Sequence, residues 1–275
     1  LCDVGRPALI LAALATDAAP GKNFRNFRRV SDNPDLEILE LWDEQDNPYT
    51  LLIPASTAGV AEQAQLMQGL RAISKVSEEL PFEVPNIVGT STDGEGNTAL
   101  VMTMVAGQSP DLSRYAPGTF SQSFAAAMAA IHKLDPAVVR DFGLVELDAS
   151  AVLQSKVQEL DKAAATGRVP AKLLSRWEEA LEDVGLFRFH TTVTHGAVSQ
   201  DSVYVVNQGV VAISDFSHLS ISDPAEDLKY LAGGALPSTF EDSLLHYRSH
   251  RENADENIQQ RAQLYSELEL ATWLT

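Results

Sequence analysis

The fold is decided by residues 194–205, THGAVSQDSVYV, together with residues 210–216, VVAISDF. Between them lies the tripeptide NQG at 207–209, flanked on both sides by apolar residues. A short turn of this kind between two apolar runs is a strong signal for a β-hairpin. The sequence therefore predicts a hairpin from residues 203–206 and 210–213.

Helical periodicity surrounds this hairpin. Apolar residues recur at helical spacing from 120 to 134 and from 152 to 160, and again after Pro170. Asp223 and Glu226 read as a capping box that begins another helix, and a last helix is predicted from about residue 257. The second part of the chain is therefore expected to be mainly helical.

The first part has a different pattern. Three candidate strands at 24–30, 36–42 and 49–53 are separated by turn residues, which predicts an antiparallel meander. A helix is expected from about 56 to 76, with Val60 and the polar Gln63 on its inward face. Further strands are predicted at 87–89 and 100–105. The whole chain is thus predicted to be α+β.

The composition limits the functions to consider. Asp plus Glu is 38 and Lys plus Arg is 20, so the 275-residue chain carries a formal charge of −18. This charge repels nucleic acid and anionic membranes and favours cationic partners. Cys2 is the only cysteine, which excludes an intramolecular disulfide. No apolar run is long enough to span a bilayer. We expect residues 6–18 to form a helix rather than a secretory signal, and the protein to be cytoplasmic.

The motif at 194–205 resembles the HGD-x-x-x-x-N catalytic loop of the aminoglycoside and macrolide phosphotransferases. Residues 213–216 (ISDF) resemble the metal-binding strand of that family, and residues 222–228 (SDPAEDL) resemble its DP-x-x-DL helix start. Residues 102–107 (MTMVAG) are similar to its linker between lobes. The similarity keeps its order along nearly the whole chain. It implies a two-lobed protein-kinase-like fold, with a small antiparallel-sheet lobe at 1–103 and a helical lobe at 104–275.

The resemblance also assigns positions in the catalytic loop. The family's catalytic base falls at Ala197, which can neither accept a proton nor orient a hydroxyl. Its metal-binding amide falls at Ser202, a weaker ligand for a hard cation than an amide oxygen. Asp215 is the candidate metal ligand that remains, and His195 is expected to be a structural hydrogen-bonding residue.

The nucleotide-binding positions are also changed. The family's strand lysine or arginine falls at Leu52 and its helix glutamate at Gln63, so the ion pair that fixes a phosphate-binding cation is missing. Thr103 and Val105 take the nucleotide-pocket positions of the linker.

The loop between the first two strands contains no glycine and carries Asp32 and Asp35. Glycine-rich loops cradle phosphate with backbone N–H groups, and carboxylates repel it. The sequence therefore predicts that this loop does not grip a nucleotide.

Together these residues predict a pseudokinase that needs no cofactor. It would act by binding a small molecule, which the charge suggests is cationic, or a protein partner, and not nucleic acid or a membrane. Four alternatives stay open. In the first, the alignment is shifted by one residue and Asp201 is a displaced base or ligand. In the second, Asp215 is a buried hydrogen-bond acceptor and binds no metal. In the third, the protein is an active phosphotransferase with an atypical site, which uses ATP and Mg²⁺ on a small hydroxylated, antibiotic-like substrate. In the fourth, it is a transferase that uses the nucleotide differently.

Overall fold

A computed structural model describes residues 6–30, 33–251 and 255–272. Its first part is built around a five-stranded antiparallel sheet, as predicted, with the strand order β1-β2-β3-β5-β4. The strands are β1 (Phe24–Val30), β2 (Leu36–Asp43), β3 (Pro48–Pro54), β4 (Ile87–Thr92) and β5 (Thr98–Thr103). The proposed lobe boundary between residues 103 and 104 falls at the end of β5.

Two helices cover the two faces of the sheet. Helix α1 (Ala8–Ala18) packs against β1, β4 and β5, and α2 (Thr57–Ile73) packs against β3 and β4. Neighbouring residues of β3 point to opposite faces. Leu51 therefore joins the apolar cluster under α1, whereas Leu52 joins the cluster that continues through α2 into the second part of the chain.

The second part is mainly helical, as predicted. Its helices are α3 (Thr119–His132), α4 (Ala137–Arg140), α5 (Ala149–Ala165), α6 (Ala171–Glu182), α7 (Ala225–Gly234), α8 (Pro237–His250) and α9 (Ile258–Thr272). Two small antiparallel pairs interrupt them. Strand β6 (Thr192–Thr194) pairs with β9 (Ser220–Ser222), and β7 (Val203–Val206) pairs with β8 (Gly209–Ile213) in the predicted hairpin.

The structure corrects two local predictions. Val60 does not lie on the inward face of α2, because it is 48% exposed while Gln63 is 3% exposed. The capping box at the start of α7 is only half formed. Asp223 accepts the backbone N–H of Ala225 at 2.9 Å, but the Glu226 side chain bonds to Lys156 and Lys229 instead. The charge pairs available to Glu226 are stronger than one capping bond.

Helix α2 lies directly on the segment that follows Asp215. A Cβ atom on Gly69 would come within 1.8 Å of the carbonyl oxygen of Phe216, so only glycine allows this close approach. The packing fixes the aspartate segment against the sheet lobe. None of the helices in the described part of the chain combines the length and the apolar character needed to cross a membrane.

Candidate functional site

The loop of residues 195–202 leaves β6 and enters β7, so two strands fix its ends. Gly196 has a φ of +81°, and a Cβ atom there would come within 2.5 Å of the carbonyl oxygen of His218. A side chain at this position would therefore strain the backbone and clash. The glycine lets the loop pass close to the chain that follows Asp215.

A buried carboxylate holds the start of this loop. Asp227, at the beginning of α7, accepts the backbone N–H of His195 at 2.8 Å and that of Gly196 at 2.7 Å. It also accepts a hydrogen bond from His132 Nε2 at 2.9 Å, and the Nδ1 atom of His132 lies 2.7 Å from the Tyr247 hydroxyl. We call Asp227, His132, Tyr247 and His195 the loop scaffold.

The charge of Asp227 is kept by its partners. Burial raises the pKa of the carboxyl, but hydrogen bonds from His132 and from the Gly196 N–H outweigh this effect, and the pKa lies below the usual value. The carboxylate thus stays ionised and accepts from all three donors. Since charge-assisted hydrogen bonds are the stronger kind, Asp227 anchors the loop firmly.

The ring of His195 is fully engaged as well. Its Nε2 atom lies 2.7 Å from the carbonyl oxygen of Ser214, which can only accept, so Nε2 carries the proton. The Nδ1 atom then accepts the backbone N–H of Ala197 at 3.2 Å. The ring also packs edge-on against Phe216. His195 is therefore a structural residue in this geometry and has no free nitrogen for proton transfer.

The positions that face the reaction in the family have other roles here. Ala197 is half-buried and brings only a methyl group. Ser202 is buried, and its hydroxyl accepts the backbone N–H of Ser199 at 2.9 Å while lying 3.4 Å from the carbonyl oxygen of Ala197. Its oxygen is turned into the loop and closes it. Asp201 is exposed, and no hydrogen bond joins its carboxylate to another described residue.

Asp215 is exposed and has a left-handed backbone, with φ 59° and ψ 58°. Its Oδ1 atom accepts the Ser217 hydroxyl at 2.6 Å, so it is not the buried acceptor that one alternative expected. Within residues 6–30, 33–251 and 255–272, no three His, Cys, Asp or Glu side chains converge as a metal site would require. Magnesium commonly takes one or two carboxylates plus substrate phosphates. Asp215 can supply one carboxylate ligand. The Ser202 hydroxyl is turned into the loop and does not supply a further ligand.

The two positions that the resemblance assigns to the phosphate-binding ion pair hold Leu52 and Gln63. Leu52 is 4% exposed and belongs to the cluster that contains Leu70 and Phe216. Gln63 donates from Nε2 to the carbonyl oxygens of Leu52 and Thr98, both at 2.9 Å. Gln63 therefore ties α2 to β3 and β5. It occupies the place of an ion-pair partner without being able to serve as one.

The loop between β1 and β2 uses its backbone donors internally. The N–H groups of Asp35 and Leu36 both donate to Asn33 Oδ1, at 2.8 and 3.1 Å. The Ser56 hydroxyl donates to the Asp35 carboxylate and so ties the loop to the start of α2. These amide donors are not directed at a phosphate. Asp32 lies outside the described residues.

The linker positions differ from each other. Thr103 is held at both ends, because its backbone N–H donates to the carbonyl oxygen of Asn86 at 2.9 Å and its hydroxyl accepts the Asn86 N–H at 2.9 Å. Val105 is half-buried, and its backbone makes no hydrogen bond to another described residue. The backbone groups of Val105 are therefore unpaired among the described residues.

A cavity of about 410 Å³ adjoins the loop at Thr194 and Gly196. Two lysines of its wall, Lys156 of α5 and Lys229 of α7, meet Glu226 at 2.6 and 3.2 Å. Burial raises the pKa of Glu226, but both lysines outweigh it and the pKa lies below its usual value. This wall therefore carries positive as well as negative side chains. Sequence reasoning missed this cluster, because the spacing of Lys156 and Glu226 along the chain gives no sign of their contact.

Comparisons with known proteins identify the family and the fold of the chain. The family model described as "Phosphotransferase enzyme family" (APH) matches residues 21–265. Macrolide 2'-phosphotransferase MphH from Brachybacterium faecium is 18% identical, with a TM-score of 0.78 over 96% of this chain and 91% of that one. Macrolide 2'-phosphotransferase type I is 19% identical, with a TM-score of 0.80 over 97% and 89%.

A GDP complex of wild-type aminoglycoside 2'-phosphotransferase-IIIa is 15% identical, with a TM-score of 0.76 over 98% of this chain and 91% of that one. None of the curated protein sequences matches the chain. At these identities the solved structures show a shared fold, and the family model extends over most of the sequence. The chain belongs to the APH phosphotransferase enzyme family.

Proposed function

We propose that this protein is a pseudokinase of the phosphotransferase family, which acts by binding a ligand or a protein partner and not by phosphoryl transfer. The observation that carries the proposal is the Leu52–Gln63 pair. Where the reaction needs a cation on the nucleotide phosphates, Leu52 is buried in the apolar core and the Gln63 amide is used up by two carbonyl oxygens.

The changes in the loop support the same conclusion. General acid–base assistance contributes typically about 10²–10⁴-fold in rate, and Ala197 cannot supply it. Electrostatic stabilisation is usually the larger contribution, and it requires donors and cations aimed at the transferred group. Ser202 is turned into the loop, so the exposed Asp215 remains as the candidate metal ligand. Several independent losses in one site are harder to compensate than any single loss.

The proposed ligand is a small molecule, or else a surface of a protein partner. The net charge of −18 favours a cationic ligand, while the paired lysines beside the loop limit how negative the cavity wall is. Nucleic acid and anionic membrane surfaces are excluded from the proposal by the same charge. ATP and Mg²⁺ are not part of the proposed function.

A second candidate function rests on Asp215. This carboxylate is exposed, and the Val105 backbone has no hydrogen-bond partner among the described residues. An active phosphotransferase with an atypical site would use Asp215, or the exposed Asp201, on a small hydroxylated, antibiotic-like acceptor. It would still lack a cation at Leu52, which is why we rank it second.

The deciding experiment measures binding and turnover of Mg-ATP. Calorimetry and a sensitive ATP-turnover assay would compare wild type, Asp215→Ala and Asp201→Ala, with aminoglycoside and macrolide acceptors and an active aminoglycoside kinase run in parallel. We expect no Mg-dependent binding and no turnover above background in all three variants. Turnover by wild type that is lost in Asp215→Ala would show that the protein is an enzyme and would reject the pseudokinase proposal.

A further inference from the structure

A second cavity, of about 420 Å³, lies away from the loop between α7, α8 and the segment that follows α6. Its wall carries three basic side chains, Arg188, His190 and Arg251. Cavities of this size are typical of small-molecule sites. A cluster of basic groups around one cavity is unexpected in a chain whose formal charge is −18.

Neither arginine of this wall forms an ion pair with a carboxylate of the described residues. Arg188 is exposed, and its guanidinium makes no hydrogen bond or ion pair with another described residue. Arg251 uses Nη1 to donate to the carbonyl oxygen of His132 and makes no ion pair with a described carboxylate. His190 is exposed at the same wall. Guanidinium groups are well suited to carboxylate and phosphate oxygens, because they present N–H donors in a planar fork.

The acidic residue of the wall offsets only part of this charge. Both carboxylate oxygens of Asp255 are held by Arg261, at 2.8 and 2.9 Å. Arg261 is fully buried and also binds Asp223 through two nitrogens, so one guanidinium serves two carboxylates. With both carboxylates ionised, one negative charge remains uncompensated, and it offsets one of the two arginine charges of the wall, which stays net positive.

The rest of the wall is apolar or aromatic. Pro224 and Ile258 lie buried behind it, and the half-buried ring of Phe189 is its accessible apolar part. Arg261 stacks against this ring at 4.2 Å from its centroid. A fully hydrated inorganic ion would leave this surface uncovered, whereas a molecule with an apolar body and one anionic group would cover both parts of the wall.

We propose that this cavity binds a small organic anion: an apolar ring or short chain that carries a carboxylate or phosphate group. The anionic group pairs with Arg188 and Arg251, and the apolar body lies against the ring of Phe189. The site is separate from the nucleotide-binding positions, because none of its lining residues belongs to the sheet, the linker or the 195–202 loop.

The bound anion would sit next to the loop scaffold. Tyr247 lines the cavity and meets His132 Nδ1 at 2.7 Å, while Arg251 binds the carbonyl oxygen of the same histidine. Tyr247 and Arg251 of the proposed site therefore both contact His132. His132 in turn binds the Asp227 carboxylate, which holds the loop.

The test uses phenyl phosphate as the probe and benzyl alcohol as its neutral counterpart. Calorimetric titration of the full chain at constant ionic strength should show saturable one-to-one binding of phenyl phosphate and no binding of benzyl alcohol. Arg188→Ala should weaken the affinity by about tenfold or more, since it removes a charge-assisted hydrogen bond. Arg188 is exposed, so circular dichroism should confirm that this variant remains folded.

Arg71→Ala is the matched control, because it removes an exposed arginine of α2 far from the cavity and should leave the affinity unchanged. Resonances of Arg188, His190 and Tyr247 should shift during the titration. No saturable binding, equal losses in Arg188→Ala and Arg71→Ala, equal binding of benzyl alcohol, or shifts centred on Val105 would each overturn the proposal.

Discussion

Behind the 195–202 loop, the side chains that hold the backbone form a continuous set of hydrogen bonds, whereas Leu52 and Gln63 of the sheet lobe combine apolar packing with two hydrogen bonds. Asp227 receives three donors at 2.7–2.9 Å and is fully buried. In the sheet lobe, Leu52 packs in the apolar core and Gln63 donates to two carbonyl oxygens. The two regions therefore differ in how many buried polar groups depend on one side chain.

Buried polar groups cannot be lost singly without a large cost. Removing Asp227 would leave two backbone N–H groups and one ring nitrogen unpaired inside the protein, and each unpaired donor is unfavourable. A position that faces a cleft has no such constraint, because water can satisfy whatever remains there. The comparison indicates that the loop scaffold is retained for folding, whether or not the loop performs a reaction.

The largest effect is expected from Asp227→Ala. This change leaves the N–H groups of His195 and Gly196 and the ring of His132 without their acceptor, so we expect a loss of about 3–5 kcal/mol in the free energy of unfolding. Urea denaturation measures it. The matched control Asp201→Ala removes an exposed carboxylate of the same loop and should change stability by less than about 0.5 kcal/mol. Equal effects would remove the distinction between the two regions.

A smaller loss is expected from Gln63→Glu. An ionised carboxylate cannot donate to the carbonyl oxygens of Leu52 and Thr98, so two buried bonds are replaced by repulsion, at a cost of about 2–4 kcal/mol. Burial raises the pKa of the introduced carboxyl, so the deficit should shrink as the pH falls and the group gains a proton. Gln65→Glu, on the exposed face of α2, is the control. An unchanged unfolding midpoint in Gln63→Glu would contradict the assigned hydrogen bonds.

The scaffold should also give a measurable pH dependence. Because the folded pKa of Asp227 lies below its unfolded value of about 3.9, its contribution is fully present above that value and is lost as the pH falls below it. The stability difference between wild type and Asp227→Asn should therefore be constant near neutrality and decrease below about pH 4. Urea titrations between neutral pH and pH 3 test this. A difference that grew on acidification would mean that Asp227 is protonated in the fold.

The smallest effect is expected from Ala197→Asp. Ala197 is half-buried, so the carboxylate can reach water, and stability should change by less than about 0.5 kcal/mol. ATP turnover should stay at background, because the phosphates would still lack a cation. Partial activity is expected only when all four positions are changed together, as Leu52→Lys, Gln63→Glu, Ala197→Asp and Ser202→Asn. Turnover by Ala197→Asp alone would show that the nucleotide is held in another way.

The fold was largely predictable because its signals are local. Alternating apolar residues and turn chemistry predict the strands at 24–30, 36–42 and 49–53, and the short NQG segment predicts the β7–β8 hairpin. Asn207 and Gln208 indeed take positive φ values of 50° and 68°, the turn that matches the twist of two strands.

The partners of individual side chains were not predictable, because they depend on residues distant in the chain. Gln63 was expected on an inward face, but only the structure shows that it binds the carbonyl oxygens of Leu52 and Thr98. Val60 was placed on the wrong face, since one apolar residue at helical spacing does not define the buried side. The contact between Lys156 and Glu226 joins positions 70 residues apart.

The Gln63 amide also restricts how this sequence can change. Leu52→Lys alone would bury an ammonium beside an amide that offers it no counter-charge, and Gln63→Glu alone would bury a carboxylate against carbonyl oxygens. Each single step is unfavourable, although the two charges together would satisfy each other. A charged pair at these two positions is therefore reached favourably only when Leu52 and Gln63 are changed together.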